Sequence, residues 1–495
     1  LFTDTQTRKF PHIRSVWTLL GYSVMIVFTV AVFLLIRSHG ELLKAPKLPN
    51  AELAINAGKS NDIFLHVLIA LAAIILTGQL LAKLFRYLGQ PPVIGEVVGG
   101  ILLGPSLLGS DISALILPPS IAPFLGIIAQ LGVILYMFLV GLELNPTLIQ
   151  HRASAIVTTS HASIIMPFLL GALLALPLYP QLSNSHVSFT SFALFIGVAM
   201  SITAFPVLAR ILADYRMTHT KLGAEALSCA AINDVTAWCL LAFVVGIAKA
   251  QMGDGLYVTA AALLYIAFMF LLARPFLEWV TRRWHTEAHS KTLVTFIFFA
   301  LLLSALTAEA IGIHAIFGAF LLGAMIPHDS TVAQTLTRQL ESIVTILLLP
   351  AFFALTGMRT RIDLLSDVSH WLMCGLIIFT ATAGKFGGTV VAARLTGLSW
   401  NNAAMLGTLM NTRGLMELIV LNVGLDLKVI SPTLFAMMVL MALVTTAMTL
   451  PVLQILKART IAGSKDDMLA EINPASHTSG IATSKRVKKR AYSKR

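Results

Sequence analysis

An all-α polytopic membrane protein of about 13 to 14 transmembrane helices, built as an inverted repeat, is the fold class this sequence predicts. Three observations predict it. The 495 residues are 57% hydrophobic and 12% charged, whereas soluble domains average about 25% charged residues, and the mean hydropathy is +0.84. Apolar runs near the ~20 residues that a bilayer crossing needs recur from one end to the other. Two of these runs carry polar or helix-breaking residues at their midpoints and stand an odd number of runs apart.

The first run, at 16–36, follows Arg8, Lys9 and Arg14. It is longer than a usual signal-peptide core, and no small-x-small cleavage site precedes Arg37, so it is expected to stay as a helix. With the polar stretch that ends at Asn61 it forms an extra N-terminal unit, residues 1–61. The transmembrane domain is expected over 62–457. Its runs lie at about 63–84, 92–109, 121–142, 154–177, 188–212, 222–247, 255–276, 291–311, 314–327, 336–356, 369–395, 400–424 and 430–456. The runs at 92–109 and 314–327 are short or interrupted by Gly and Pro. A polar, Ser-rich tail, 458–495, is expected to be disordered, and its Lys485-Arg486-Val487-Lys488-Lys489-Arg490 suits anionic headgroups.

The net charge of +12 does not point to nucleic acid, because the basic residues collect in short loops and the tail. With the N-terminus inside, alternate loops receive Lys83 and Arg86, then Arg152, then Arg210, Arg216 and Lys221, then Arg274, Arg282, Arg283 and Lys291, then Arg394 and Lys457. The opposite turns at 110–120 and 178–187 hold no Lys or Arg. Lys44, Lys47, Lys59, Arg359 and Arg361 are the exceptions. This bias is expected to place both termini in the cytoplasm, and the plasma (inner) membrane is the expected location. Cys229, Cys239 and Cys374 all fall in apolar runs, without the spacing of a zinc site or a disulfide framework, and are expected to pack between helices.

The interrupted runs contain Ser201-Ile202-Thr203-Ala204-Phe205-Pro206 and Asn411-Thr412-Arg413-Gly414. Pro206 has no amide hydrogen and frees the carbonyl of Ile202. Gly414 tolerates backbone angles closed to other residues. Interrupted segments in corresponding positions of two halves mark a transporter site. Six runs lie between them, an odd offset of seven, so the two helices run in opposite senses, as an inverted repeat requires. An ordinary kink in each helix is the alternative.

Asp234 stands near the middle of the run at 222–247. An acid there costs roughly 2.5–3.5 kcal/mol on insertion scales, so an ion or proton pathway is the default reason for it. A desolvated carboxyl can hold a proton or a small monovalent cation, and not both. Carbonyls near Thr203 and Pro206 can complete a cation's oxygen shell. Asn233 sits about 100° around the helix from Asp234 and is expected to bond the broken helix. Lys385, amid small residues in Ala383-Gly384-Lys385-Phe386-Gly387-Gly388, either pairs with Asp234 or neutralises a broken helix end. Arg413 and Glu417 are spaced to pair with each other. Glu225 is expected at a cytoplasmic funnel or a helix terminus, Glu96 near a helix N-terminus, and Glu143 at a helix end; Glu309 and His314 flank an outer turn. The run at 430–456, the repeat partner of the Asp234 run, has no acid. One exchanging carboxyl makes one proton for one monovalent cation the simplest stoichiometry.

The stretch Gly89-Gln90-Pro91-Pro92-Val93-Ile94-Gly95-Glu96-Val97-Val98-Gly99-Gly100 and its continuation to Ser106 resembles the monovalent cation:proton antiporter family, which includes the bacterial Kef systems and the plant CHX exchangers. So do Phe138 to Leu144, Thr203 to Arg210, Gly318 to Gly323 and Asn411 to Gly414, and the resemblance covers roughly 63–456. The Asn233-Asp234 pair is most similar to the CHX branch. The resemblance implies the Na⁺/H⁺ antiporter-like fold with two crossing interrupted helices, dimerisation and core ion-transport subdomains within 62–457, a homodimer, and an elevator-like alternating-access cycle. It implies cation and proton binding at Asp234, with Asn233, Thr203 and Ala204 beside it and Lys385, Arg413 and Glu417 as supporting charges. The transported ions are expected to be K⁺ or Na⁺ and H⁺, with the lipid bilayer as partner and no cofactor. The extra N-terminal helix departs from the family. So does the short tail after Leu456, and gating by a cytosolic domain of this chain is not expected.

The expected function is electroneutral exchange of K⁺ or Na⁺ for H⁺. A proton-uncoupled channel or gated K⁺ efflux path is the alternative, although no repeated filter sequence supports it. An intramembrane enzyme is not expected: Gly253-Asp254 lies in a loop, and no His-Glu-x-x-His helix occurs.

Overall fold

The computed structural model describes residues 11–41, 43, 63–143, 153–185, 187–218, 220–250, 255–283, 290–327 and 329–472. Arg8, Lys9, Lys44, Lys47, Lys59, Arg152, Gly253-Asp254 and the run Lys485 to Arg490 lie outside them.

Every apolar run is helical where described. The helices are α1 (Pro11–Gly40), α2 (Ile63–Tyr87), α3 (Pro92–Leu103), α4 (Ala122–Glu143), α5 (Ala153–Leu182), α6 (Phe189–Ser201), α7 (Phe205–Asp214), α8 (Lys221–Ala250) and α9 (Gly255–Phe268). Then come α10 (Arg274–Arg283), α11 (Ser290–Ile311), α12 (Ala315–Met325), α13 (Thr331–Ile343), α14 (Leu349–Arg359), α15 (Val368–Leu395), α16 (Trp400–Met410), α17 (Leu415–Asp426) and α18 (Pro432–Ile472). Among the described residues, 11 spans are long and apolar enough to cross a membrane, and α3 and α12 are shorter apolar helices. The α16–α17 pair is one further broken run.

The boundaries differ from the hydropathy reading where local chemistry decides. The run expected to reach 109 breaks at Gly104 and resumes as a single turn, Pro105–Leu108, because Pro105 cannot donate an amide and holds Gly104 extended, at φ −75° and ψ 167°. α13 begins at Thr331 instead of 336, since the Ser330 side chain accepts the Ala333 amide at 3.2 Å and caps the helix. Five-residue π turns at Met269–Ala273 and Val344–Leu348 join α9 to α10 and α13 to α14. The last helix continues to Ile472, into the expected tail.

The helices form two bundles. One contains α2, α3, α4, α11, α12 and α14, which pack on one another. The other contains α5 to α8 and α15 to α18, with α1 laid against α5. Number the runs in chain order, and the same packing recurs seven runs later: α2 on α3 as α11 on α12, α5 on α6 as α15 on α16, and α8 on α6 and α7 as α18 on α16 and α17. Two close approaches obey the same rule. A Cβ on Gly100 of α3 would meet backbone of α14 near Ala354, and one on Gly357 would meet Gly100. A Cβ on Gly141 of α4 would meet α12 beside Gly323, and the converse holds. Gly141 and Gly357 are thus equivalent positions. Lipid tails supply no hydrophobic drive for helix pairing, so backbone contact at small residues carries these interfaces.

Candidate functional site

α6 is buried along its whole length, Phe189 to Ser201, so its C-terminal carbonyls end inside the protein. The chain then extends through Ile202 and Thr203 and resumes as α7, with Pro206 in the first turn, where a missing amide costs nothing. α16 ends in the same way at Met410, and α17 resumes after Gly414. The two extended pieces cross in contact. The Ala204 amide donates to the Thr412 carbonyl at 3.0 Å, and the Thr203 hydroxyl donates to the Met410 carbonyl at 3.1 Å. Gly414 has an extended φ of 164°, so its need for glycine is spatial: a Cβ there would lie 2.8 Å from Val207 Cγ2.

A buried side chain steadies each break. Asn233 Oδ1 accepts the Thr203 amide at 3.1 Å, and its Nδ2 donates to Ser163 Oγ at 3.2 Å. Thr446 Oγ1 accepts the Arg413 amide at 3.0 Å and donates to the Arg413 carbonyl at 2.8 Å. Sequence reasoning anticipated the bond from Asn233 and missed Thr446.

Two buried cations meet the C-terminal end of α6. Arg413 donates from Nη1 to the Ala199 carbonyl at 3.1 Å and from Nη2 to the Met200 carbonyl at 2.8 Å. Lys385 Nζ donates to the Ser201 carbonyl. A helix C-terminus carries about half a negative charge, and these groups satisfy it where water cannot. Of the two roles open to Lys385, the geometry places its hydrogen bond on the helix end. Arg413 also pairs with Glu417 at 2.7 Å, with both side chains fully buried.

Asp234 follows Asn233 on α8, is 2% exposed, and neither carboxylate oxygen makes a hydrogen bond of full geometry, the Phe205 backbone amide at the start of α7 being the donor that acts on it. A buried carboxylate with so little hydrogen bonding is costly, because desolvation is poorly offset. The nearby charge of Lys385 acts on it. Tyr136, on α4 of the other bundle, is close enough to feel the charges of both Asp234 and Glu143. Thr203, Ala204, Asn233, Asp234, Lys385, Arg413 and Glu417 therefore come together at the crossing. Glu309 is elsewhere, where its Oε2 accepts the Ala315 amide at 2.8 Å beside His314. Among the described residues, no group of three or more His, Cys, Asp or Glu is arranged to hold a metal ion. The carboxylates at the crossing are Asp234 and Glu417, the second of them paired with Arg413.

Comparison with known proteins gives a consistent result. Residues 67–456 match the family described as sodium/hydrogen exchanger, transmembrane. The chain is 44% identical over 396 residues to the Na(+)/H(+) antiporter NhaS4 of Synechocystis, covering 79% of this chain and 97% of that protein. It is 40% identical to cation/H(+) antiporter 20 of Arabidopsis thaliana, over 79% of this chain and 48% of the relative. It is 36% identical to K(+)/H(+) antiporter 1 of Saccharomyces cerevisiae, over 77% and 45%. The chain thus spans about half the length of the plant and yeast relatives. The structure of the sodium proton antiporter MjNhaP1 from Methanocaldococcus jannaschii superposes with a TM-score of 0.58 at 17% identity, covering 80% of this chain and 97% of that one. That likeness concerns the fold.

Proposed function

The chain belongs to the sodium/hydrogen exchanger transmembrane family, and from that premise we propose that it exchanges K⁺ or Na⁺ for H⁺ at Asp234, electroneutrally and by alternating access. It is a cation/H⁺ antiporter, an integral multi-pass membrane protein and not an enzyme. The observation that carries the finer reading is the Asp234 carboxylate, buried at the crossing of two broken helices, with no side-chain hydrogen-bond partner and the Phe205 amide at the start of α7 acting on it.

The surrounding groups support exchange in place of passive binding. Lys385 and Arg413 are bonded to carbonyls of α6, and Glu417 to Arg413. These three charges stay fixed while Asp234 carries either a proton or a cation. The two loaded forms of the carboxyl are both neutral, so core movement carries the same charge in each direction. Thr203 and Asn233 are supporting groups that hold the backbone beside the carboxylate. The bundle containing the crossing acts as the moving core. The other bundle acts as the scaffold and supplies the contact between two copies in a homodimer. Both termini face the cytoplasm at the plasma membrane, which puts Arg359 and Asp426 on the outer face and Glu143 and Arg216 on the inner.

Proteoliposomes with an internal pH dye test this reading. Imposed K⁺ or Na⁺ gradients are expected to move protons in the native protein and not in Asp234→Asn. The rate is expected to be the same whether the membrane potential is clamped at zero or at a negative value. A potential-dependent rate would contradict the one-for-one stoichiometry.

A further inference from the structure

We propose that two charge-swapped ionic latches, one on each membrane face, set the two end states of the exchanger. Arg359–Asp426 is the latch that is closed in this structure, and Glu143 with Arg216 is its repeat-related counterpart.

The closed latch joins the two bundles. Arg359 ends α14 of the scaffold, and Asp426 ends α17 of the core. Arg359 Nη1 donates to Asp426 Oδ1 at 2.9 Å and to Asn422 Oδ1 at 3.0 Å. Asn422 Nδ2 also donates to Thr356 Oγ1 at 2.8 Å. One scaffold helix therefore holds one core helix through three bonds. A cavity of about 50 Å³ remains between the bundles behind them, lined in part by Gln130, Phe352 and Ile419.

The inverted repeat locates the counterpart. In the scaffold, Gly141 and Gly357 are equivalent, so Glu143 and Arg359, each two residues on, are equivalent as well. In the core, the amides of Thr203 and Arg413 are taken by the next helix in the same way, so these residues are equivalent. Thirteen residues on from each stand Arg216 and Asp426. The pair Arg359–Asp426 thus maps onto Glu143–Arg216 with the signs exchanged. Glu143 shares the face of α4 that carries Tyr136, seven residues before it, and Tyr136 lies close to Asp234 of the core. Glu143 is exposed at the end of α4, where the charge of Glu341 on α13 also acts on it.

Among the described residues, neither Glu143 nor Arg216 makes an ion pair in this state. On their face a cavity of about 270 Å³ lies between the bundles, lined by Arg86, Gln90 and Pro92 of the scaffold and by Tyr215 and Leu450 of the core, with Gln90 Nε2 donating to the core's Ala447 carbonyl at 3.3 Å. The structure is therefore the state with the Arg359 face closed. Sliding the core toward the opposite face breaks Arg359–Asp426 and brings Arg216 to Glu143. Both members of the closed latch are partly exposed, at 35% and 45%. Exposed pairs are individually weak, which suits a device that has to open in every cycle.

This inference rests on the alternating-access reading, and its test reads core movement and not ion flux. The three native cysteines are replaced by alanine, and the pair Glu143→Cys with Arg216→Cys is introduced in proteoliposomes. Under copper-phenanthroline oxidation a disulfide is expected to form and to stop exchange until it is reduced. Adding Arg359→Gln or, independently, Asp426→Asn opens the closed latch and is expected to raise the initial cross-linking rate by about two- to fivefold. Absence of the disulfide, while each single cysteine still reacts with a water-soluble maleimide, would overturn the proposal. So would rates unchanged by both latch variants. Either failure leaves the Asp234→Asn exchange test standing, so the two readings fail separately.

Discussion

Asn233 and Thr446 hold the two broken helices in the same manner. Each lies on the helix after a broken run, α8 or α18, and each accepts a backbone amide from that break, Thr203 at 3.1 Å and Arg413 at 3.0 Å. The symmetry stops one residue later, where Asp234 faces its counterpart Ala447. The chain keeps the mechanical support in both halves and the carboxyl in one.

Removing either support leaves a buried amide unpaired. Asn233→Ala and Thr446→Val are each expected to cost about 1–3 kcal/mol. The check is thermal unfolding in detergent, where both variants are expected to melt below the native protein. Thr445→Val, whose hydroxyl bonds only within its own helix, is expected to melt close to it.

Arg413 serves two partners, Glu417 and the end of α6. Arg413→Ala is therefore expected to destabilise more than Glu417→Ala, although each breaks the same buried pair. Breaking a buried pair from one side costs about 3–5 kcal/mol. A double-mutant cycle measured by thermal melts checks the order. Equal losses would mean that the carbonyl bonds contribute nothing.

Lys385 donates to the Ser201 carbonyl. Lys385→Ala is expected to lower stability by about 1.5–3 kcal/mol, the range for hydrogen bonds to charged groups. Lys385→Gln retains a donor and is expected to recover part of that loss. If both melt like the native protein, Lys385 does not support the helix end.

Gly414 is required by space. Gly414→Ala places a methyl against Val207 Cγ2 and is expected to cost about 1–3 kcal/mol through overpacking. Val207→Ala in the same chain removes the clashing methyl and is expected to restore much of the melting temperature. Absence of rescue would mean that the backbone angle, and not the contact, selects glycine.

Much of this was legible in the sequence because a membrane leaves few reasons for polarity. Asp234, Lys385 and the two broken runs stand out against apolar neighbours, and the odd spacing of the breaks implies the inversion. Other features were hidden for identifiable reasons. A threonine in an apolar helix commonly bonds its own preceding turn, as Thr445 and Thr449 do, so the reach of Thr446 to Arg413 has no local signature. Lys385 had two chemically reasonable partners, and only the position of the α6 terminus separates them. Arg359 reads from sequence as an exception to the charge bias. Its partners Asn422 and Asp426 lie more than 60 residues away, on a helix of the other bundle. The end of α3 depended on the dihedrals before Pro105, which a hydropathy run does not record.

The central claim is that a proton and a cation compete for one carboxyl. Proton release on cation binding tests it most directly. Purified protein in weakly buffered detergent solution is titrated with KCl or NaCl, with choline chloride as the ionic-strength control, while the pH is followed. About one proton released per chain by at least one of the two cations is the expected result, with none released by choline or by Asp234→Asn. Proton release undiminished in Asp234→Asn, or cation binding to the native protein without release, would contradict it.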